Sequence, residues 1–206
     1  QKYDVVVTNP PYIGLRNMSP KLFDYIMANY RNTKQDLFGI FIQVSLEQYC
    51  KKFGIVAMFT QHVWMFTSGF EELRKKLYRE KTISSLVHLG TRAFDEISGE
   101  VVQTCCFVVS NYHIEQYAGN YIRLVDYTSS SEKEQQFQVA SNRYTKTTAS
   151  FMSVPGTPVC YWLSSRILTA FKKPLVGDVS STRQGLKTSD DKRFIRLFYE
   201  VDASKI

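Results

Sequence analysis

The feature that most constrains the fold is a run of β-branched residues that ends at two prolines. Residues 3–8 have the sequence Tyr-Asp-Val-Val-Val-Thr, and a continuous run of this kind predicts a strand buried on both faces. Asn9-Pro10-Pro11-Tyr12 follows directly. Because proline fixes φ and has no N–H to donate, the strand must end here. The tetrapeptide is therefore expected at the carboxyl end of a buried strand.

Helical and strand patterns alternate from this strand to about residue 111. Helices are expected at 19–30, which has a Ser-Pro start signal, at 37–49 behind Asp36, and at 68–79. Further strands are expected at 55–59, 83–89, 104–109 and 121–127. This alternation predicts an α/β fold with a doubly wound, Rossmann-like sheet. Ligands of such sheets bind beyond the carboxyl ends of the strands, where Asn9 and Tyr12 are expected.

Charge and cysteine usage indicate the kind of partner and the cellular setting. The chain has 26 Lys and Arg against 19 Asp and Glu, a net charge of +7, which favours a polyanionic partner. A soluble basic protein without such a partner fits the charge equally well. The four cysteines lack metal-ligand spacing, so no metal and a reducing, cytoplasmic setting are expected. No apolar run approaches the ~20 residues of a membrane span, so no membrane partner is expected.

The tetrapeptide suits an amine that is a poor nucleophile, such as the exocyclic amine of adenine. The Asn9 side-chain carbonyl and the Pro10 backbone carbonyl can each accept an amino N–H and favour attack as the nitrogen becomes tetrahedral. Tyr12 offers a flat face for stacking on a base, worth ~1–3 kcal/mol in single-strand binders. A plain strand-ending turn is the alternative, since Asn-Pro is a good turn initiator.

Residues 4–12 resemble the catalytic motif of S-adenosylmethionine-dependent, adenine-specific DNA methyltransferases, the amino-methyltransferases with an Asn-Pro-Pro-Tyr motif. Further segments resemble this family in the same order. They are Asp36-Leu37-Phe38, 54–64, a 70–77 helix with Phe-x-x-Leu-Arg-x-x-Leu spacing, 83–94, and 184–188 with Arg193-Phe194. The arrangement is most like that of large restriction-modification and BREX-type phage-exclusion enzymes.

The resemblance implies S-adenosylmethionine as cofactor and double-stranded DNA as partner, with other restriction-modification or defence subunits as further partners. It implies catalytic roles for Asn9, Pro10, Pro11 and Tyr12, cofactor contacts for Asn9 and Asp36, and substrate contacts for Tyr12, Phe107, Lys187 and Arg193. From the residues alone, Asp36 is equally an N-cap, and an aromatic such as Phe107 in an apolar strand is more often core. Lys187 and Arg193 fit a solvated face equally well.

The same resemblance divides the chain into three parts. Residues 1–127 would be the C-terminal half of the methyltransferase sheet, 128–174 a connector, and 175–206 the start of a target-recognition domain. The family's glycine-rich cofactor loop and acidic ribose ligand precede its catalytic motif, and neither is found here. The chain also starts at Gln1 with a strand almost at once. We therefore expect it to continue upstream, and by itself to bind cofactor weakly and turn over poorly.

The expected reaction is methyl transfer to the exocyclic amino group of an adenine flipped out of DNA. Two alternatives stay open. One is the same chemistry on a protein glutamine or an RNA base, and the other is a non-catalytic nucleic-acid-binding fragment. The basic, aromatic residues beyond about 175 favour DNA, and intact Asn9 and Tyr12 favour catalysis. His62 and Trp64 follow a strand and could face the cleft or pack elsewhere, whereas His88 and His113 are assigned no role because neither has a partner at catalytic or metal spacing.

Overall fold

The computed structural model describes residues 1–93, 102–174, 176–181, 185, 190, 193, 195, 197–202 and 204. The chain forms two compact units, Gln1–Lys172 and Lys173–Ile206. The described part of the second unit contains a short helix, Val176–Val179, and a 3-10 turn, Phe198–Glu200.

A six-stranded mixed sheet forms the centre of the first unit. Its strands are β1 Tyr3–Thr8, β2 Cys50–Gln61, β3 Thr82–Gly90, β4 Thr104–Ser110, β5 Ala118–Arg123 and β6 Arg143–Thr147, in the spatial order β1-β2-β4-β3-β5-β6. β1 is parallel to β2 and β3 to β5, whereas β4 is antiparallel to both β2 and β3, and β6 to β5. Consequently β1, β2 and β3 run in one direction, and their last residues lie at the same end of the sheet, here called the carboxyl edge.

The helices of this unit lie between or after the strands. They are α1 Pro20–Asn29, α2 Leu37–Val44, α3 Glu71–Glu80, α4 Ser130–Gln136, α5 Thr148–Met152 and α6 Ser165–Ala170. α2 continues into a π-helical turn, Ser45–Tyr49, and a 3-10 turn at Ser68–Phe70 precedes α3. The α/β class predicted from the sequence is confirmed. In the described residues, no helix has both the length and the apolar character needed to cross a membrane.

The main hydrophobic core lies on one face of the sheet. Along β2, Val56 and Met58 are buried, whereas Ile55, whose side chain lies on the opposite face, is 39% exposed. β2 is therefore covered mainly on one face. α2 and α3 contribute Phe38 and Leu77 to the same core. Residues 151–161, within the segment expected to be a connector, add further core side chains, including the fully buried Phe151 and Tyr161.

β1 departs from the expectation of a strand buried on both faces. Val5 is 58% exposed and Val7 is 72% exposed. β1 is the terminal strand of the described sheet and pairs with β2 alone, and within the described chain no element buries the face that carries Val5 and Val7. The β-branched run correctly predicts a strand, but the prediction that both of its faces are buried was wrong. Burial depends on neighbouring elements and not on strand propensity.

Candidate active site

The Asn-Pro-Pro-Tyr turn follows β1 at the carboxyl edge of the sheet, as predicted. Thr8, the last residue of β1, is in register with Met58 on β2. The Tyr12 hydroxyl donates to Asn9 Oδ1 at 3.3 Å and to the Phe59 carbonyl oxygen at 3.4 Å. The turn is thereby attached to the neighbouring strand, and the Asn9 side-chain carbonyl has a fixed partner.

Tyr12 is held by its ring as well as its hydroxyl. The ring meets the fully buried Phe38 edge to face, with 6.0 Å between centroids and 85° between planes. Burial is the main reason that the pKa of Tyr12 rises to about 12, with smaller contributions from Cys105, Cys106 and Asp36. The hydroxyl therefore stays protonated at neutral pH and remains a donor.

Asp36 caps α2 and binds the loop that follows the tetrapeptide. Its Oδ1 accepts from Phe38 N at 3.3 Å and from Ile13 N at 3.0 Å, and Leu37 N donates to Ile13 O at 3.0 Å. Burial raises the pKa of the Asp36 carboxyl, while hydrogen bonds from backbone N–H groups oppose that rise. The N-cap alternative is therefore realised, and the same carboxylate fixes the course of the chain beyond Tyr12.

A cleft of about 410 Å³ lies beside the turn. Asn9 supplies its polar end, and the remaining lining comes from β1 to β4, namely Val7, Thr8, Ala57, Met58, Phe59, Ser85, Val87, Cys106, Phe107 and Val108. A largely apolar cleft with a few well-placed polar groups is the usual form of a small-molecule site. Asn9 is the lining residue whose side chain offers both an amide acceptor and an amide donor.

The other sequence-predicted substrate residues fall in different places. Phe107 is 2% exposed, and its ring packs against the buried Trp64 with 5.1 Å between centroids. Phe107 therefore has a core contact, and Trp64 belongs to the core as well. Arg193 lies in the second unit, where its backbone N–H bonds Asp190 O at 3.2 Å. Lys187 lies outside the described residues.

Arg74 belongs to the interior, although its charge counted toward the basic character of the chain. It is fully buried in α3, and its guanidinium donates to four backbone carbonyls. These are Trp64 O at 2.7 Å, Thr67 O at 2.8 Å, Thr157 O at 3.0 Å and Gly156 O at 2.6 Å. Burial lowers the pKa of Arg74. Arg74 thus joins the segment after β2 to the segment that contains residues 156 and 157.

Sequence reasoning missed a hydrogen-bonded pair of histidines at the carboxyl edge. His62 Nδ1 lies 2.7 Å from His88 Nε2, and His88 Nδ1 lies 3.0 Å from the Tyr161 hydroxyl. Burial, with smaller contributions from nearby charges, lowers the pKa of His88 to about 3, and burial also lowers that of His62. The 26-residue separation gave no signal, because the pairing depends on β3 returning next to β4 in the strand order. A partial signal was that each histidine lies at or near the end of a strand.

Across the described residues, no group of three or more His, Cys, Asp or Glu side chains could hold a metal ion. Cys50, Cys105, Cys106 and Cys160 are free thiols.

The α/β fold of this chain also occurs in a solved restriction-modification enzyme. The chain is similar to the structure of a nuclease-deletion mutant of the Type ISP restriction-modification enzyme LlaGI in complex with a DNA substrate mimic. The TM-score is 0.51 at 14% sequence identity, covering 80% of this chain and 18% of that chain. At this identity the likeness shows the fold alone.

Residues 1–94 match the model of the Eco57I restriction-modification methylase family. The chain is 38% identical over 213 residues to the adenine-specific methyltransferase PglX of Lacticaseibacillus casei (strain Zhang), covering 100% of this chain and 18% of the relative. It is 36% identical over 204 residues to the adenine-specific methyltransferase BrxX of Escherichia coli O9:H4 (strain HS), covering 98% of this chain and 17% of the relative. The resemblance inferred from the sequence is confirmed, and the chain spans less than a fifth of the length of these relatives.

Proposed function

We propose that this protein transfers a methyl group from S-adenosylmethionine to the exocyclic amino group of an adenine in DNA. The observation that carries the proposal is the position of Asn9 and Tyr12, joined by a hydrogen bond at the carboxyl edge of an α/β sheet. The similarity to two adenine-specific methyltransferases supports the same substrate.

The residues of the turn would act by holding the amino group of the base. A carbonyl oxygen has two lone pairs, so Asn9 Oδ1 can accept the Tyr12 hydroxyl and still accept an amino N–H. The Pro10 carbonyl would accept the second N–H, with its direction fixed by the ring constraints of Pro10 and Pro11. Two acceptors placed in this way favour the tetrahedral form of the nitrogen, in which its lone pair is free to react.

Tyr12 would contribute in two ways. Its ring would stack on the adenine, and its hydroxyl orients the Asn9 carbonyl. An adenine within a duplex cannot reach this turn while stacked, so the reaction requires the base to be flipped out. The net charge of +7 is suited to holding the flanking phosphates.

The residues present fit part of an S-adenosylmethionine site. Asn9 and Asp36 lie at the carboxyl edge, and both are hydrogen-bond acceptors, as the amine and hydroxyl groups of the cofactor require. When bound, this cofactor supplies an electrophilic methyl group on a sulfonium. Asn9 would hold the acceptor amine toward that group, beside the apolar cleft.

The wider organisation of the protein is part of the same proposal. Residues 1–127 would be the catalytic half, and 128–174 would be a connector that packs against it through β6 and core side chains. Residues 175–206 would be the start of target recognition, where Lys187 and Arg193 would meet the DNA. Double-stranded DNA and other restriction-modification or defence subunits would be its partners, in the cytoplasm. The DNA substrate mimic bound to LlaGI supports the DNA part.

The test is methyl transfer from labelled S-adenosylmethionine to mixed-sequence duplex DNA by the full-length protein, with Asn9→Ala as the control. The proposal expects label in methylated adenine, and a loss of roughly 100-fold or more in Asn9→Ala, as for removal of one preorganised hydrogen-bonding group in an active site. Label on a protein glutamine or on RNA would show that the substrate is that molecule and not DNA. DNA binding without transfer to any acceptor would favour a non-catalytic binding module.

A further inference from the structure

Three side chains from distant parts of the chain form a continuous hydrogen-bonded series at the carboxyl edge. His62 begins the 3-10 turn that follows β2, His88 lies on β3, and Tyr161 belongs to the segment after α5. The two contacts measure 2.7 Å between His62 and His88 and 3.0 Å between His88 and Tyr161. Among the described residues, the side-chain hydrogen bonds of this series and those of Tyr12 are separate, so the hydrogen bonds of the turn do not account for the series.

The direction of the hydrogen bonds follows from the buried end. The Tyr161 side chain is fully buried, and His88 Nδ1 is its hydroxyl's one hydrogen-bonding partner among the described residues. A buried O–H left without an acceptor is costly, so Tyr161 donates to His88 Nδ1. A neutral imidazole has one N–H, so His88 Nε2–H must donate to His62 Nδ1. His62 then carries its own hydrogen on Nε2.

The surroundings keep both imidazoles neutral. His88 faces His62 and Tyr161, with Arg123 of β5 and Lys133 of α4 also close enough to disfavour a positive charge. Burial is the larger effect, and it lowers the pKa of His88 to about 3. Burial lowers the pKa of His62 in the same direction. The tautomers set by Tyr161 therefore persist at neutral pH.

His62 Nε2 is available to a ligand. It makes no hydrogen bond to any described residue, and it is absent from the buried polar atoms that lack a partner in the described structure, which are Asn111 Oδ1, Tyr121 Oη and Thr157 Oγ1. The His62 residue is half-buried, so part of it reaches the surface of the described structure. The ring is also fixed by edge-to-face packing on Phe66, with 5.3 Å between centroids and 89° between planes. The result is a neutral N–H donor of defined direction.

The position of His62 relates this donor to the catalytic turn. The Tyr12 hydroxyl contacts the Phe59 carbonyl oxygen, and His62 is the third residue after Phe59. At a strand rise of ~3.3 Å per residue, His62 lies up to about 10 Å beyond Phe59 in the direction of β2, past the carboxyl edge. That distance suits a contact to the nucleotides beside a flipped adenine better than a contact to the adenine itself.

We propose that His62, positioned by His88 and Tyr161, donates a hydrogen bond from Nε2 to the DNA strand that carries the target adenine. This inference rests on the proposed function. The acceptor is an oxygen or nitrogen next to the flipped base, either on a flanking phosphate or on a flanking base edge. His62 is thus a substrate-positioning residue, and His88 and Tyr161 act through it.

Two substitutions at His62 separate the contributions of its two ring nitrogens. In His62→Asn the amide occupies the place of Nδ1, which keeps a partner for His88 and removes the outer donor. In His62→Gln the amide extends to the place of Nε2 and keeps that donor. With the full-length protein and mixed-sequence duplex DNA, we expect His62→Asn to raise KM roughly 3- to 10-fold, as for loss of one hydrogen bond, with kcat nearly unchanged. His62→Gln should restore most of the wild-type KM.

The outcomes distinguish this proposal from the proposed function. A wild-type KM in His62→Asn would overturn the role of His62 while leaving DNA methylation intact. Equal losses in both variants, accompanied by equal drops in Tm, would show a purely structural role and also overturn it. Failure of the wild-type protein to methylate DNA would overturn the proposed function itself.

The salt dependence of DNA binding identifies the acceptor. If His62 contacts a phosphate, His62→Asn should weaken binding evenly across sequences and make the slope of log affinity against log salt shallower. If it contacts a base edge, the slope should stay unchanged and discrimination at one flanking position should relax. If His62→Asn has a wild-type KM and changes neither the salt slope nor the discrimination between sequences, His62 does not contact the DNA.

Discussion

The Tyr12 hydroxyl lies 3.3 Å from Asn9 Oδ1 and 3.4 Å from the Phe59 carbonyl oxygen, so one donor serves both the Asn-Pro-Pro-Tyr turn and the neighbouring strand. Its proton remains in place at neutral pH because burial, chiefly, raises the pKa of Tyr12 to about 12. The direction of the Asn9 carbonyl is therefore set before a substrate arrives. Preorganisation of this kind lowers the cost of orienting a catalytic group during the reaction.

Substitution of Tyr12 should separate its two contributions. Tyr12→Phe keeps the ring and removes the donor, so we expect kcat/KM for DNA methylation to fall roughly 3- to 10-fold, the value of one hydrogen bond. Tyr12→Ala also removes the stacking surface and should fall by a further factor of about 5 to 100. Steady-state kinetics of the full-length protein checks both. Equal losses in the two variants would argue against a stacking role for the ring.

Asp36 should contribute to stability through its cap and its bond to the loop. Asp36→Ala leaves the N–H groups of Ile13 and Phe38 without this acceptor, and we expect a loss of ~1–2 kcal/mol in the free energy of unfolding. Asp36→Asn retains an acceptor oxygen and should lose less. Urea denaturation measures the loss. A stable Asp36→Asn variant with weakened S-adenosylmethionine binding would assign the negative charge to the cofactor.

Arg74 should be among the residues least tolerant of change. Arg74→Met fills similar space but leaves four backbone carbonyls without their donors, so we expect destabilisation of ~3–5 kcal/mol. Lys75→Met at the adjacent position is the matched control. Among the residues that the structure describes, Lys75 forms surface ion pairs with Glu71 and Glu72, and such pairs contribute little to stability. Similar unfolding midpoints for the two variants would contradict the role given to Arg74.

The buried His88 predicts loss of stability in mild acid. Its pKa is lowered from 6.5 to about 3, chiefly by burial, so between these values the unfolded chain binds a proton that the folded chain does not. Stability therefore falls as pH drops through this window, by up to about 1.4 kcal/mol per pH unit from this residue. The lowered pKa of His62 acts in the same direction.

Urea unfolding between pH 7 and pH 5 measures this effect in a range where most carboxyl groups are still ionised. His88→Gln has no titrating group at this position, and we expect the dependence of its unfolding free energy on pH to be shallower than that of the wild type. An identical dependence in the variant would show that His88 does not determine it. The comparison uses the slope of each protein, so a constant loss of stability in the variant does not obscure the result.

The sequence predicted those parts of the fold that depend on local pattern. The strand at residues 3–8, the Asp36 cap and the position of Asn9 and Tyr12 at a strand end follow from β-branched runs, capping preferences and proline geometry. The Phe-x-x-Leu-Arg-x-x-Leu spacing likewise marks α3, whose Leu73 and Leu77 are buried. These features depend on residues that are close together in the sequence, so they can be predicted from a single sequence.

Features that depend on long-range pairing could not be predicted. The burial of Arg74 requires the carbonyls of Gly156 and Thr157, which lie about eighty residues downstream. The pairing of His62 with His88 requires β4 to lie between β2 and β3. Local pattern gives no sign that Arg74 is buried, because the available acceptors decide where a guanidinium can be buried.

The open side of β1 has a consequence for the behaviour of this chain in solution. In the described sheet β1 pairs only with β2, and the row of backbone N–H and C=O groups on its other side can template a further strand. Val5 and Val7 add exposed apolar surface beside that row. Molecules of the isolated chain should therefore adhere strand to strand as concentration rises, and a lysine in place of Val7 should act as a gatekeeper that keeps them apart.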